Sequence, residues 1–227
     1  MNDKNIIVQL DSVSKQMGQF CLHHINLIAN PNDIIAIIGE NGAGKTTLLK
    51  ILSHLYSIDS GNISLPPIHE MGFVFDSNHL HEALSVKEIE RFIPYLFQKW
   101  DDATFSDYID KLEIPREKAI KDFSKGMKTK LGIAVALSHH AKVLLLDEIT
   151  SGLDPLIRDE VLTVIKDYVN KYSAIAIMTT HLLDDVIKIA NKVTVMNKGT
   201  IILNQHVSEY RNTDSLESKL KQIIAGK

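Results

Sequence analysis

The chain has 227 residues, of which 44% are hydrophobic and 23% charged, and its formal net charge is −3 at pH 7. This composition is typical of a folded globular protein and excludes both a disordered chain and a strongly basic nucleic-acid-binding protein. No stretch approaches the ~20 apolar residues that a membrane-spanning helix needs, so we expect any membrane role to depend on a partner subunit. The single cysteine, Cys21, cannot form an intrachain disulfide, and residues 1–10 do not form a secretory signal, which predicts a cytoplasmic protein.

The first part of the chain is predicted to be mainly β structure. Residues 6–10 and 20–28 are rich in strand-forming residues, and a turn signal at residues 30–33 precedes the apolar run Ile34–Ile38. Apolar residues at helical spacing then predict a helix over residues 47–55, followed by strands near residues 63–65 and 71–75.

The middle of the chain, residues 76–141, is predicted to be helical. Ser85 and Glu88 have the spacing of a capping box, and Thr104 is a candidate N-cap for a helix whose apolar residues fall between 105 and 112. This segment is therefore predicted to be a helical insertion.

The final third alternates predicted strands with predicted helices. The strands cover residues 143–146 and 174–178, and the helices cover residues 155–172 and 182–189. Such alternation predicts a parallel sheet with right-handed crossovers. Residues 193–196 and 201–203 predict a closing hairpin. Residues 204–227 form a polar tail, in which Leu216, Leu220, Ile223 and Ile224 could pack either on the body of the protein or on a partner.

Residues 39–46 match the complete pattern G-x-x-x-x-G-K-[ST], and they lie between a predicted strand and a predicted helix. In such a P-loop, backbone N–H groups and the helix N-terminus bind phosphate groups. The Lys45 ammonium can reach the β- and γ-phosphates, and the Thr46 hydroxyl can bind Mg²⁺. The predicted nucleotide-binding residues of this segment are Gly39, Asn41, Gly42, Ala43, Gly44, Lys45, Thr46 and Thr47.

Two adjacent carboxylates, Asp147 and Glu148, follow the apolar strand at residues 143–146. The end of a parallel strand is where such sheets bind their ligands, and neighbouring side chains there can take separate tasks. We expect Asp147 to hold Mg²⁺ with its hydration shell and Glu148 to act as general base on the attacking water. The alternative is a solvated acidic turn, which the P-loop upstream makes much less plausible.

Three further segments downstream of the P-loop carry candidate functional residues. Residues 123–127, Phe-Ser-Lys-Gly-Met, precede a helical run, and a hydroxyl from Ser124 with the N–H of Gly126 could bind a γ-phosphate there. Alone, this segment would be an ordinary helix N-cap. Residues 151–154, Ser-Gly-Leu-Asp, follow the carboxylate pair, and Asp154 is placed to cap the helix that begins at residue 155. His181 follows the strand at residues 174–178.

Together these segments resemble the ATP-binding cassette (ABC) family, in motif order and in spacing, from residue 4 to about residue 203. Residues 123–127 resemble its LSGGQ signature, residues 151–154 its D-loop, and His181 its switch histidine. The resemblance implies an α/β fold: a P-loop NTPase (RecA-like) core with a mixed sheet, an N-terminal antiparallel β subdomain and an inserted α-helical subdomain. The implied ATPase domain spans residues 1–203, with its core at 1–75 and 142–203, its helical subdomain at 76–141, and a tail at 204–227.

The resemblance also implies a function. Lys45, Glu148 and His181 would be catalytic, with the His181 imidazole contacting the γ-phosphate. Because Ser124 and Gly126 would close over the nucleotide of another subunit, two ATPase subunits, identical or different, would bind two ATP molecules between them. A separate transmembrane permease would be the other partner, and the chain would lie on the inner face of the membrane and bind no nucleic acid. Within the family, the sequence looks most like ATPases of exporters of antimicrobial peptides or peptide toxins, including the phenol-soluble modulin type.

The sequence departs from the family pattern at several positions. Asp76 stands where the family usually has a glutamine that contacts Mg²⁺; a carboxylate can still coordinate the ion, although it is shorter and charged. Met17 aligns with the aromatic residue that stacks on adenine, which leaves the Met17 thioether or the nearby Phe20 as candidates. Ile149 replaces the usual proline after the catalytic glutamate, which should relax that turn.

Two other classes of protein share part of this pattern. A soluble ABC ATPase that acts on a ribosome or on DNA typically carries two cassettes or a long coiled-coil insertion, and this chain has neither. A GTPase or a small-molecule kinase could share the P-loop, but the guanine-binding pattern N-K-x-D is incomplete, because residues 191–194 are Asn-Lys-Val-Thr. A GTPase or a kinase would also leave the signature and His181 unexplained.

Overall fold

The computed structural model describes residues 8–75, 82–210 and 213–224. Its strands are β1 (Val8–Met17), β2 (Phe20–Ala29), β3 (Ile34–Ile38), β4 (Ser60–Ser64), β5 (Met71–Val74), β6 (Val143–Asp147), β7 (Ile175–Thr179), β8 (Lys192–Asn197) and β9 (Thr200–His206). Its α-helices are α1 (Lys45–Leu52), α2 (Val86–Ile89), α3 (Asp102–Lys111), α4 (Lys125–Ser138), α5 (Pro155–Tyr172), α6 (Leu183–Ile189) and α7 (Thr213–Ile224). None of the helices in these ranges is both long enough and apolar enough to cross a membrane.

The N-terminal strands form a three-stranded sheet in the order β2-β1-β4, and both of its pairings are antiparallel. The β1–β2 hairpin turns at Gly18, whose φ of 59° is one that glycine adopts without strain. The predicted antiparallel β subdomain is therefore confirmed.

The larger sheet has six strands in the order β5-β6-β7-β3-β8-β9. Every pairing from β5 to β8 is parallel, and only the last pairing, between β8 and β9, is antiparallel. The predicted mixed sheet is confirmed. Because β6, β7 and β3 are neighbours and run in the same direction, the segments that follow these three strands meet at one edge of the sheet.

Both faces of the central strand β3 are buried. Ile34, Ala36 and Ile38 belong to an apolar cluster that also contains residues of α4 and α5. The alternate residues, Ile35 and Ile37, belong to a second cluster with α1 and the small sheet. Each fully buried Ile contributes roughly 1.5–3 kcal/mol, and burial on both faces explains why the central strands are continuous apolar runs without alternation.

The described part of the helical segment contains α2, α3 and α4. The capping box predicted at Ser85 and Glu88 is confirmed, because both of its reciprocal hydrogen bonds are present at the start of α2. The predicted N-cap at Thr104 is wrong: Asp101 caps α3, accepting from the Thr104 N–H at 3.1 Å and from the Thr104 hydroxyl at 2.7 Å. A carboxylate offers two acceptor oxygens, so Asp101 can bind both Thr104 donors at once.

The C-terminal segment packs on the body of the protein. Strand β9 continues to His206, so the predicted domain boundary after residue 203 falls inside a strand. In α7, Leu216 and Leu220 are buried and belong to the same apolar cluster as Val193 of β8. Of the two alternatives for the tail, docking on its own chain is the one observed.

Candidate nucleotide-binding site

The P-loop connects β3 to α1, and two of its glycines are required by close packing. A Cβ atom on Gly39 would lie 2.3 Å from the backbone carbonyl oxygen of Met196 in β8. A Cβ atom on Gly44, whose φ is 105°, would lie 2.7 Å from a side-chain carbon of Leu22 and 2.8 Å from the Phe20 ring. A larger residue at Gly39 would push the loop away from the backbone of β8, whereas a larger residue at Gly44 would displace the Leu22 and Phe20 side chains.

A cavity of about 410 Å³ opens beside this loop, within the size range of small-molecule sites. Its lining residues are Met17, Phe20, Asn41, Gly42, Gly44, Lys45, Thr46, Thr47 and Glu148. Most of the predicted nucleotide-binding residues are therefore brought together, including both candidates for contact with the base, Met17 and Phe20. Gly39 and Ala43 are not in this lining, and Ala43 is buried beneath it.

The Lys45 ammonium is held inside the loop. Its Nζ donates to the carbonyl oxygens of Gly39 at 2.8 Å and of Glu40 at 3.2 Å, and it lies 3.8 Å from Oε1 of Glu148. Its side chain is almost fully buried. A positive charge is thus fixed at the wall of the cavity, where a phosphate group would need it.

Asp147, at the end of β6, lies opposite Thr179 of β7 in the parallel ladder. Its Oδ1 accepts a hydrogen bond from the Thr46 hydroxyl at 3.3 Å and another from the Thr179 hydroxyl at 2.6 Å. The Thr46 hydroxyl and the Asp147 carboxylate supply the hard oxygen ligands that Mg²⁺ prefers. The donor set therefore fits this cation.

Glu148 adopts a left-handed backbone conformation, with φ of 47°. Its N–H donates to both oxygens of Thr179, the carbonyl at 3.2 Å and the hydroxyl at 3.0 Å. Its carboxylate lies between two basic side chains, with Oε1 3.8 Å from Lys45 Nζ and Oε2 3.6 Å from His181 Nδ1. The structure thus brings together the three residues that the sequence predicts to be catalytic.

A buried acidic residue of the same region was not found from the sequence. Asp185 of α6 is 0% exposed and accepts from the hydroxyls of Thr150, at 2.5 Å, and Thr180, at 2.8 Å. It also accepts from the Arg158 Nε of α5. Thr150 follows the carboxylate pair and Thr180 precedes His181, so Asp185 joins the two loops that carry Glu148 and His181. In the sequence, Asp185 cannot be distinguished from the adjacent Asp184 on the same short predicted helix.

The signature segment lies apart from the cavity. Ser124 is the N-cap of α4 and accepts from the Met127 N–H at 3.2 Å, and a Cβ atom on Gly126 would lie 2.9 Å from Cδ1 of Ile157 in α5. Neither Ser124 nor Gly126 is in the cavity lining. As predicted, Asp154 caps α5, accepting from two backbone N–H groups. Asp76, the remaining predicted metal ligand, lies outside the described residues.

Comparisons with known proteins agree with this geometry. The family model described as "ABC transporter" matches residues 22–151. A lantibiotic transport ATP-binding protein of Streptococcus pyogenes is 29% identical over 221 residues, which cover 93% of this chain and 94% of that protein. An energy-coupling factor transporter ATP-binding protein of Clostridium perfringens is 31% identical over 225 residues, covering 88% and 78%.

Among solved structures, an inward-facing putative metal-chelate type ABC transporter is similar, with a TM-score of 0.79 and 26% identity. The match covers 96% of this chain and 89% of that one. Family model, relatives and fold therefore agree with the complete P-loop and with the carboxylate pair beside it. The chain belongs to the ABC transporter family, as an ATP-binding subunit with ATPase activity.

Proposed function

We propose that this chain is the ATPase subunit of a peptide exporter, driving a separate transmembrane permease from the cytoplasmic face of the membrane. The observation that carries the ATPase mechanism is the position of the Glu148 carboxylate between Lys45 and His181, beside Asp147 and the P-loop. The observation that favours a peptide cargo is the match to a lantibiotic transport protein, which extends over nearly the whole of both chains.

Each residue of the site has a proposed role in hydrolysis. Lys45 binds the β- and γ-phosphates, exchanging the loop carbonyls for phosphate oxygens, and Met17 or Phe20 contacts the base. Glu148 accepts a proton from the attacking water, and His181 binds the γ-phosphate. Thr46, Asp147 and Asp76 are the proposed ligands of Mg²⁺, which when bound would neutralise phosphate charge.

Two ATPase subunits, either two copies of this chain or this chain with a second ABC ATPase, are proposed to share each nucleotide. Ser124 and Gly126 lie outside the cavity of their own chain, at the N-terminus of α4, and we propose that this helix end binds the γ-phosphate held by another P-loop. ATP would then favour a closed pair of subunits and hydrolysis an open one, and this difference in binding would drive the permease.

The ATPase mechanism can be tested on the purified chain with the variant Glu148→Gln. We expect nucleotide binding to be retained and steady-state turnover to fall by about 100-fold or more, as expected for loss of a general base. Glu117→Gln removes an exposed carboxylate paired with Lys87 outside the site, and it should leave turnover unchanged. Full activity of Glu148→Gln would exclude Glu148 as the base.

The proposed cargo and partners must be tested in the native membrane. Affinity isolation of the tagged chain from detergent-solubilised membranes should recover a transmembrane permease. A deletion strain should become sensitive to a lantibiotic-type peptide, and the wild-type gene, but not the Glu148→Gln gene, should restore resistance. Recovery of ribosomes instead of a permease would favour the soluble ATPase alternative, and unchanged peptide sensitivity would argue against peptide export.

A further inference from the structure

Strand β7 lies between the strand that precedes the P-loop and the strand that ends in the two carboxylates, in the order β6-β7-β3. Its last residue, Thr179, pairs with Asp147 on one side and with Ile37 of β3 on the other. Thr179 is 0% exposed. Its side chain is therefore fixed inside the sheet edge that forms the site, although it does not line the cavity.

The hydrogen bonds of the Thr179 hydroxyl have only one consistent assignment. The Glu148 N–H can only donate, so the hydroxyl accepts this bond, at 3.0 Å. The hydroxyl proton is then directed to Oδ1 of Asp147, at 2.6 Å. One buried hydroxyl thus holds the side chain of one carboxylate residue and the backbone of the next.

The backbone of Glu148 needs such support. A non-glycine residue with φ of 47° is strained and persists where its surroundings hold it in place. The surroundings here are the carbonyl and the hydroxyl of Thr179, which both accept from the Glu148 N–H. These two hydrogen bonds therefore fix the direction in which the Glu148 side chain leaves the end of β6.

We propose that Thr179 is a positioning residue for ATP hydrolysis. Its hydroxyl orients the Asp147 carboxylate to bind the divalent cation, and it holds the Glu148 backbone so that the Glu148 carboxylate faces the attacking water. The proposal rests on the roles proposed above for Asp147 and Glu148. Because Thr179 does not line the cavity, loss of its hydroxyl should affect turnover and cation binding more than nucleotide binding.

Thr194 of β8 provides a matched comparison. It is equally buried, it pairs with the same residue, Ile37, from the opposite side of β3, and its hydroxyl donates to Asn204 at 3.1 Å. A Thr→Val substitution at either position replaces one buried hydroxyl with a methyl group of similar size. A merely structural role for Thr179 would make the two substitutions equivalent.

The experiment compares Thr179→Val, Thr179→Ser and Thr194→Val in the otherwise intact chain. Three quantities are measured: kcat and KM for ATP, nucleotide affinity in EDTA, and the affinity for Mn²⁺ of the ADP-bound protein by electron paramagnetic resonance. For Thr179→Val we expect kcat to fall by about tenfold or more and Mn²⁺ affinity by about fivefold, with nucleotide affinity in EDTA within about twofold of wild type. Thr179→Ser keeps the hydroxyl and should stay within about threefold of wild type on every measure, as should Thr194→Val.

Two outcomes would overturn the proposal: Thr179→Val indistinguishable from Thr194→Val, or Thr179→Ser as defective as Thr179→Val. If Thr179→Val does not fold, Thr179→Ala and Thr179→Ser give a second pair, since both lack the methyl group and only one has a hydroxyl. An inactive Glu148→Gln with a normal Thr179→Val would reject this proposal alone. An active Glu148→Gln would instead reject the proposed base.

Discussion

Oε2 of Glu148 lies 3.6 Å from Nδ1 of His181, which places the two side chains next to each other but is too long for a direct hydrogen bond. About half of the His181 side chain is exposed, whereas the Glu148 side chain is more buried. Both side chains keep polar atoms available for a nucleotide or for water.

This arrangement predicts that His181→Ala impairs turnover more than folding. Because His181 is half exposed, we expect the melting temperature to change little and kcat to fall by about tenfold or more, through lost contact with the γ-phosphate. The measurement is ATPase turnover beside equilibrium binding of a fluorescent nucleotide. His23→Ala, at an exposed position of β2, is the control; an equal loss in both variants would contradict a role for His181.

Asp185 should be a major contributor to stability. Asp185→Ala leaves the Arg158 guanidinium and two buried hydroxyls without their common acceptor, and we expect the free energy of unfolding to fall by about 3 kcal/mol or more. Asp184→Ala is the matched control: this neighbour is 84% exposed and 3.7 Å from Arg158, so its loss should cost about 1 kcal/mol or less. Urea denaturation of both variants measures the difference, and similar values would exclude the proposed importance of Asp185.

Burial lowers the pKa of His139 to about 4, the neighbouring His140 adds a smaller depression, and Nδ1 of His139 has no hydrogen-bond partner among the described residues. The ring stacks on Phe97, with centroids 4.5 Å apart. In the unfolded chain, the His139 imidazole therefore binds a proton near pH 6.5, whereas in the folded chain it does so only near pH 4. The stability that neutral His139 contributes is complete above pH 6.5 and is lost as the pH falls towards 4.

The test compares wild type with His139→Leu by urea denaturation between pH 7.5 and pH 5. Relative to the variant, wild type should lose about 1 kcal/mol of unfolding free energy for each pH unit below about 6. The carboxylate of Asp101 lies near His140, not His139, and is present in both proteins. A difference between the two proteins that does not change with pH would contradict the depressed pKa.

Gly39→Ala should disrupt the site through backbone overlap. Its Cβ atom would lie 2.3 Å from a carbonyl oxygen of β8, and two backbone segments would have to separate. We expect loss of nucleotide binding and a lower melting temperature. Gly18→Ala is the control, because its φ of 59° strains alanine by roughly 1–2 kcal/mol but no atom lies within 4 Å of the new Cβ. Similar nucleotide affinity in the two variants would contradict the importance of the close approach.

The sequence predicts those parts of the site whose motif carries its own chemistry. The P-loop glycines and Lys45 can be recognised because phosphate binding requires those residue types in that order. Asp147 and Glu148 can be recognised because they end an apolar strand downstream of it. The strand order carries no such motif and was only partly predictable. The alternation of strands and helices implies parallel strands, but it does not place β7 between β6 and β3.

Residues that act through others leave weaker signals. Thr179 ends an apolar strand, where a threonine is equally well explained by strand propensity. Asp101 and Thr104 are both good N-caps, and the choice between them depends on where the preceding chain enters the helix. Asp185 lies beside an exposed aspartate, and only the packing of α5 and α6 distinguishes the two.

The position of β7 has a consequence for the growing chain on the ribosome. When β6 has emerged, the P-loop and both carboxylates have already been synthesised, yet the strand that separates β3 from β6 in the finished sheet has not. Until residues 175–179 have been synthesised, β3 and β6 both lack the strand that pairs with each of them in the finished sheet, and the nucleotide-binding site is incomplete. The P-loop and the carboxylate pair can therefore be brought to their final spacing only after β7 has been synthesised, and ATP can stabilise the assembled site only from that point on.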